Sequence, residues 1–483
     1  ERDCFGREVR KLVRSSSMEK GAYRYQWGIA NRLLSKENEL TGTVTRYDYD
    51  RFDFLIRQET MQGSETDVIY RVPDFVGNLF ETPDKKDRKY GAGGKLLEDP
   101  DCFYHYDDEG NLIFREFKQL QETGVRFDRK RMEKERGIHF LATGTGWLYE
   151  WSSNGMLKKV IRPDGRPVEF RYDALGRRTA KQYFGKVTRW VWDGNVPIHE
   201  WGYKVTDRQP NEEENTLSKE PIEDITTWVF EAGTFVPTAK ILDGKQYSIV
   251  SDYLGTPIQM YDEQGDKTWD CTLDIYGKVI AMDKGAEFDC PFRFQGQFAD
   301  EETELYYNRF RFYIPSTGSF ISQDPIRLAG NNPTLYGYVF DTNTWTDLFG
   351  LRKVKSTKTI NGTQIYGKGQ ITGLGHDKAT EKLAEDLANT GKYKEIYMDL
   401  SWNTANHTSS GVYQNISRKR PDLILVDNNN KLYSIEIASK SDNIGDLKQR
   451  NNISVSHGYG YLDKGDYDAN GNIINDTNIK HLH

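Results

Sequence analysis

The chain has 483 residues, more than a single hydrophobic core usually serves, so two or more domains are expected. Only 36% of it is hydrophobic, yet 13% is aromatic, a balance that suits extended sheet, where rings cover pleated faces and their polar tips find partners. No apolar run approaches the roughly 18 residues of a membrane helix, and the charged start ERDCFGREVRKLVR lacks the apolar centre of a signal peptide. Because the sequence opens on Glu1 rather than Met, an upstream region that carries the targeting is expected. Cys4, Cys102, Cys271 and Cys290 form no CxxC pair and read as four unpaired thiols.

From the N-terminus, short segments of one design recur: YRYQWGIANRLL from Tyr23, RYDYDRFDFLIRQ from Arg46, YHYDDEGNLIFREF from Tyr104, WLYEWSSNGMLKKV from Trp147, FRYDALGRRTAKQ from Phe170 and RWVWDGNVPIHEW from Arg189. Each alternates aromatic and polar residues, turns through an Asp, Asn and Gly cluster, and resumes alternation, which is the pattern of a β-hairpin. Spacing of about 20 residues in the stretch from Tyr149 to Tyr172 predicts stacked repeats that bury a continuous surface only together. The rings read as sheet packing rather than as a sugar-binding or base-stacking surface. Residues 205–224, rich in Glu, Asn, Gln and Lys, read as a flexible insertion. These hairpins resemble the YD repeat of Rhs proteins, insecticidal toxin complex C components and teneurins, best matched by YDALGR from Tyr172. The resemblance implies a mainly β fold in which residues 1–290 are a YD-repeat β-strip forming part of a hollow shell.

Residues 291–351 join a Tyr-, Trp- and Gly-rich part to a Lys- and Asn-rich one. Their FRFQGQFADEETELYYNRFRFY, followed by STGSFISQDP, is similar to the Rhs-associated core. That resemblance implies an intramolecular aspartic protease that closes the shell and cuts the chain after a terminal Leu. By position the roles fall on Arg311, Asp324 and Asp347, with the cut between Leu351 and Arg352. Two carboxylates brought together do not both ionise, so one stays protonated as an acid while the other activates water, and a guanidinium holds the charged partner. Two positions depart from the DPxG pattern: Arg327 replaces Gly in DPIR, and Leu348 replaces Pro in DLFG. Aspartates that merely cap turns are the other reading.

Residues 352–483 hold 18 Lys and Arg against 15 Asp and Glu, net +3, which leaves −10 for the larger part. Opposite signs favour holding the small part against or inside the large one, and so slight a basic excess permits a nucleic-acid partner without demanding it. HDKATEKLAEDLANTGKY predicts an amphipathic helix, with Asp377 near its start and Gly391 near its end, and YKEIYMDL alternates like a strand. In RKRPDLILVDNNNKLYSIEIASKSD, from Arg418, strand LILV and strand LYSIEIA flank the turn DNNNK. Asp422 and Glu436 then fall at neighbouring strand ends, where two hard carboxylates can hold Mg²⁺ or Mn²⁺. RPDLI followed by IEIASK resembles the PD-(D/E)xK core of restriction-endonuclease-like toxins carried on Rhs shells. This resemblance implies a small α/β domain that hydrolyses phosphodiesters with a metal, on DNA more than RNA. The motif lysine is replaced by Ala438; Lys440 or Gln449 is expected to stand in for it, and Glu381 of the helix to add a carboxylate. His376, His407 and His457 offer a rival HNH-like or metal-independent RNase site, without the spacing of a His/Cys ligand set. DYDANGNIIND opens like a calcium loop, but Thr477 holds the twelfth position and a hairpin turn is expected.

The resemblances together imply an Rhs effector of interbacterial competition, a secreted protein whose nuclease acts in the target-cell cytoplasm. They also imply delivery by a contact-dependent machine such as type VI secretion, through a spike or adaptor, and a cognate immunity protein in the producer. The alternatives are a C-terminal RNase or other toxin enzyme, or a non-toxic YD-repeat surface or adhesion protein.

Overall fold

The computed structural model describes residues 1–4, 7–15, 18–207, 220–327, 334–351, 356–360, 363–367, 374–398, 422–429, 431–437, 458–462 and 480–482. It divides into two compact units, Glu1–Glu231 with Phe235–Lys353, and Val354–His483 with Ala232–Thr234.

The building block of the first unit is a hairpin whose turn has a fixed chemistry. At Asp173 the carboxylate accepts the N–H of Leu175 at 2.9 Å and of Arg177 at 2.8 Å, while the Asp173 N–H donates to the Arg177 carbonyl. Gly176 closes the turn in the left-handed region, at φ +73°, where a side chain would be strained. Asp74, Asp252, Asp262 and Asp274 repeat these bonds to the residues two and four further on. Aspartate suits the position because its short carboxylate reaches its own main chain.

Just before the turn the strand pairing slips by one residue, between Glu150 and Trp151, Arg171 and Tyr172, and Val191 and Trp192. Such a bulge bends the strand and adds twist. The aromatic residue there reaches across to the strand before it: Trp151 Nε1 donates to the Leu112 carbonyl at 2.8 Å, Tyr172 Oη to Leu157 at 2.7 Å, and Trp192 Nε1 to Arg178 at 2.7 Å. In a tyrosine–aspartate pair, then, the aspartate shapes its own hairpin and the ring ties that hairpin to its neighbour. Strands joined in this way run antiparallel and in sequence order through a six-stranded sheet, Arg10–Ser15 to Glu65–Tyr70, and a fifteen-stranded sheet, Lys89–Tyr90 to Lys267–Asp270. The architecture is a YD-repeat β-strip, and among the described residues no sheet closes into a barrel. Of the expected insertion, Val205–Asp207 forms a 3₁₀ turn, and 208–219 lie outside the described residues.

The junction supplies a four-stranded sheet of Phe298–Asp300, Leu305–Asn308, Arg311–Ile314 and Ser319–Phe320. Its Phe298, Leu305, Tyr307, Phe312 and Ile314 share one core with Tyr149, Val168, Phe170, Trp190, Trp228 and Trp269 of the strip. Side chains of this size each contribute about 1.5–3 kcal/mol on full burial. Charge fixes the docking as well. Arg178 pairs with Asp300 in the interior, Lys181 stands 3.2 Å from the same carboxylate, and the Arg178 guanidinium lies 4.4 Å from the Trp190 ring and 4.6 Å from that of Tyr307. Removing one partner of such a pair strands a buried charge, at about 3–5 kcal/mol. The hairpin that carries Arg311 is therefore bolted to the strip. All four cysteines are free, and burial pushes the thiols of Cys102 and Cys290 up to about 12 and that of Cys271 to about 11, far from reactive thiolates.

The second unit is a seven-stranded mixed sheet in the order Ser356–Ile360, Thr363–Gly367, Tyr393–Met398, Leu423–Asp427, Leu432–Ile437, Gly458–Leu462 and Lys480–Leu482. The helix Leu374–Asn389 connects the parallel pair Thr363–Gly367 and Tyr393–Met398. It buries Leu383, Ala384 and Ala388 in one core with Ile365, Ile396, Leu425 and Ile435 of the sheet. The helix, the central strand and the DNNNK hairpin lie where the sequence pattern puts them, the last two strands pair antiparallel on either side of the segment where a hairpin turn is expected, and the first hairpin was not foreseen. Among the described residues no helix is long and apolar enough to cross a membrane.

Candidate active site

Arg311, Asp324 and Asp347 come from a strand and two separate loops, and meet in the interior at 2%, 4% and 3% exposure. Arg311 Nη2 lies 3.1 Å from Asp324 Oδ2 and 3.5 Å from Asp347 Oδ2. Its Nη1 donates to the Leu335 carbonyl at 3.2 Å, its Nε donates to the Gly350 carbonyl, and its flat face covers the Phe320 ring at 3.7 Å. Every nitrogen of the fork is thus aimed, which fixes the guanidinium between the two carboxylates. Asp347 Oδ1 accepts the N–H of Leu351 at 2.9 Å, so the same carboxylate touches both the arginine and the residue before the expected cut.

Both aspartates also sit in variants of the repeat's own turn. Asp347 reaches the N–H four residues on, and Gly350 takes φ +67°, as Gly176 does after Asp173. A Cβ at Gly350 would stand 2.6 Å from the Asn308 carbonyl, so close packing as well as φ requires glycine there. Asp324 Oδ1 accepts the Ile326 N–H at 2.9 Å, and Arg327 donates to the Asp324 carbonyl at 2.8 Å. Arg327, standing at the glycine position of DPxG, still adopts the left-handed conformation, at φ +52°. The departure changes the side chain and keeps the turn. Turn capping and convergence on an arginine are therefore joint properties of these aspartates.

Burial pushes the Asp324 carboxyl up to about 7, with the Asp347 charge adding to the effect and Arg311 opposing it. Burial likewise pulls Arg311 below its ordinary value, against the two carboxylates. Neighbouring groups brace the loop. Phe310 N–H donates to the Phe349 carbonyl at 3.2 Å, Asp347 N–H to Tyr338 Oη at 3.4 Å, and Asn308 Nδ2 to the Asp347 carbonyl at 2.9 Å. Asn308 Oδ1 is buried without a hydrogen-bond partner. An unmade bond of that kind costs about 1–3 kcal/mol, against about 0.5–1.5 kcal/mol from the bond its nitrogen makes.

In the second unit Asp422 is half-buried at the entry to Leu423–Asp427, and its Oδ2 accepts the Ile437 N–H at 2.6 Å. The Leu423–Ile435 pairing, continued by one residue, sets position 422 opposite 436. The backbones of Asp422 and Glu436 are thus brought together. Glu381 and His376 lie in the helix and Glu436 in the strand Leu432–Ile437, and nothing is described of their side chains. Lys440, Gln449, His407, His457 and the DYDANGNIIND segment lie outside the described residues. Among the described residues no group of three His, Cys, Asp or Glu side chains is placed to hold a metal.

Residues 76–343 match the family described as Teneurin YD-shell, more than half of the chain. The chain belongs to the teneurin YD-shell family. Among its relatives, Double-stranded DNA deaminase toxin A of Burkholderia cenocepacia is 28% identical over 361 residues, 70% of this chain and 21% of that protein. Probable deoxyribonuclease RhsA of Dickeya dadantii is 28% identical over 425 residues, 80% of this chain and 27% of that protein. The chain therefore spans less than a third of the length of either relative. Among solved structures, that of TcdB2-TccC3-TEV is 17% identical, with 71% of this chain and 20% of that one covered and a TM-score of 0.34.

Within this YD-shell chain, sequence reasoning missed Asn308, Phe320 and Tyr338. Asn308 and Phe320 lie inside the two segments quoted for the core, but nothing in alternation or spacing separates a loop brace from a packed sheet residue.

Proposed function

We propose that this chain is part of an Rhs-type toxin of interbacterial competition, a YD shell whose core cuts the chain after Leu351 and whose C-terminal unit is the cargo. The observation that carries the cutting step is Arg311 set between two buried carboxylates, one of which grips the Leu351 N–H. Asp347 takes a proton from the water that attacks the Leu351 carbonyl carbon. Asp324, holding a proton near neutral pH, passes it to the Arg352 nitrogen as the C–N bond breaks. Arg311 keeps both carboxylates in place and offsets their charge. N-terminal sequencing of the smaller fragment tests this: a product beginning at Arg352 is expected from the native chain and none from Asp347→Ala or Asp324→Ala, whereas an uncut native chain rejects it.

The cargo reading is a metal-dependent nuclease of the PD-(D/E)xK kind, acting on DNA more than RNA in the target-cell cytoplasm. Asp422 and Glu436, hard oxygen donors at facing strand positions, fit Mg²⁺ or Mn²⁺, which when bound would activate water and offset charge on the phosphate. Asp422 is held by the Ile437 N–H, and Lys440 or Gln449 with Glu381 would complete the site. The match to Probable deoxyribonuclease RhsA supports a nuclease cargo. It takes in 80% of this chain, about 386 residues, and therefore extends past Leu351. Secretion through a type VI spike or adaptor, and a cognate immunity protein that covers the nuclease cleft, complete the proposal.

A further inference from the structure

We propose that Asn308 is a positioning residue of the cleavage site, holding the Asp347 loop in cutting geometry through one donated hydrogen bond. The inference rests on the cleavage reading above. Asn308 is fully buried at the end of Leu305–Asn308, directly opposite Arg311 in the antiparallel pairing. Its Nδ2 donates to the Asp347 carbonyl at 2.9 Å, and its own carbonyl packs where a Cβ of Gly350 would stand. One residue thus braces both ends of the turn from Asp347 to Gly350, the first with its side chain and the second with its main chain.

Stability gives little reason for an amide at this place. Oδ1 is buried without a partner among the protein groups, and that unmade bond is at least comparable in size to what the single bond from Nδ2 returns. Leucine would fill a similar volume and leave no orphan acceptor. What the amide supplies, and leucine does not, is a fixed Asp347 main chain. The Asp347 carboxylate has to reach both Leu351 and Arg311, and a general base that drifts out of hydrogen-bond range loses most of its effect. Asn308 acts through Asp347 and does not itself bond to either carboxylate.

The test follows the appearance of the fragment beginning at Arg352 during cell-free synthesis of the full chain, for the native protein, Asn308→Leu, Asn308→Asp and Asp347→Ala. Asn308→Leu is expected to cut at least about tenfold more slowly at every pH, with an unchanged or higher Tm. Asn308→Asp, whose carboxyl donates only when protonated, is expected to be equally slow at pH 8 and to recover towards the native rate at pH 5. A merely structural role would lower the Tm of both variants and give no recovery in acid, and that result overturns the inference. Should Asn308→Leu fail to fold, the pH series of Asn308→Asp decides alone. A native chain that cuts while Asn308→Leu keeps pace overturns only this inference; a native chain that yields no such fragment overturns the cleavage reading and this one with it.

Discussion

At the scale of single residues, the proposed cleavage makes the proton on Asp324 the group that would set how cutting depends on pH. Its carboxyl is raised to about 7, chiefly by burial, so the acid form is present below that value and lost above it. Cleavage is expected to fall roughly tenfold per pH unit above about 7, read from the rate of fragment appearance. Linkage adds a second consequence. A carboxyl raised on folding binds its proton more tightly when folded, so its contribution to stability is present below the unfolded value near 4 and lost as pH rises through about 7. Asp324→Asn, which keeps the neutral form, should therefore gain in Tm over the native chain as pH climbs through that window. Arg327 offers a separate test: an arginine at φ +52° is strained, and Arg327→Gly is expected to stabilise the folded chain by about 1 kcal/mol in thermal denaturation. The triad was legible only through resemblance, because intervals of 13 and 23 residues from Arg311 to Asp324 to Asp347 follow no structural period. Asn308 was not legible at all, since its unpaired oxygen has meaning only once its surroundings are known.

At the scale of elements, the repeat is a device for joining hairpins, and its two named residues do different work. Asp173→Ala removes three bonds within one turn, two from main-chain N–H groups and one from Arg177 Nε, and Tyr172→Phe removes one bond between neighbouring strands while leaving the ring packed. Each is expected to cost about 1–2 kcal/mol, measured by denaturant unfolding, and the two losses should add to within about 0.5 kcal/mol only if turn and tie are independent. A large coupling would mean that the bulge at Arg171 and Tyr172 needs both. The hairpins themselves were readable, because alternation fixes which face is buried and Asp with Gly marks the turn. The ties were not, because they depend on a register slip that sequence does not display. In the second unit the missed hairpin Ser356–Ile360 and Thr363–Gly367 did carry a signal: Asn361-Gly362 stands between two alternating runs, the strongest short-range mark of a two-residue turn.

At the scale of the whole molecule, the two units differ in what they require of their acidic residues. In the strip and core, carboxylates are consumed by structure: they cap turns, pair with buried arginines, and at Asp324 and Asp347 do both. In the second unit, Asp422 stands at a strand entry beside position 436, where turn capping has no call for a pair of acids. Asp427, which does cap its turn through the N–H groups of Asn429 and Lys431, provides an internal control. Asp422→Ala and Glu436→Ala in the full chain are expected to reduce DNA cleavage at least about a hundredfold in Mg²⁺, to the level seen with EDTA, while leaving the fragment that begins at Arg352 unchanged. Asp427→Ala should instead lower stability by about 1 kcal/mol and keep the cleavage rate per folded molecule. Full DNA cleavage in Asp422→Ala and Glu436→Ala would transfer the assignment to the HNH-like reading of His376, His407 and His457, and cleavage of RNA that persists in EDTA to the metal-independent RNase reading of the same residues. Because the residues proposed for self-cutting lie wholly in the first unit, loss of one activity without the other would also show that the two proposed chemistries are separable.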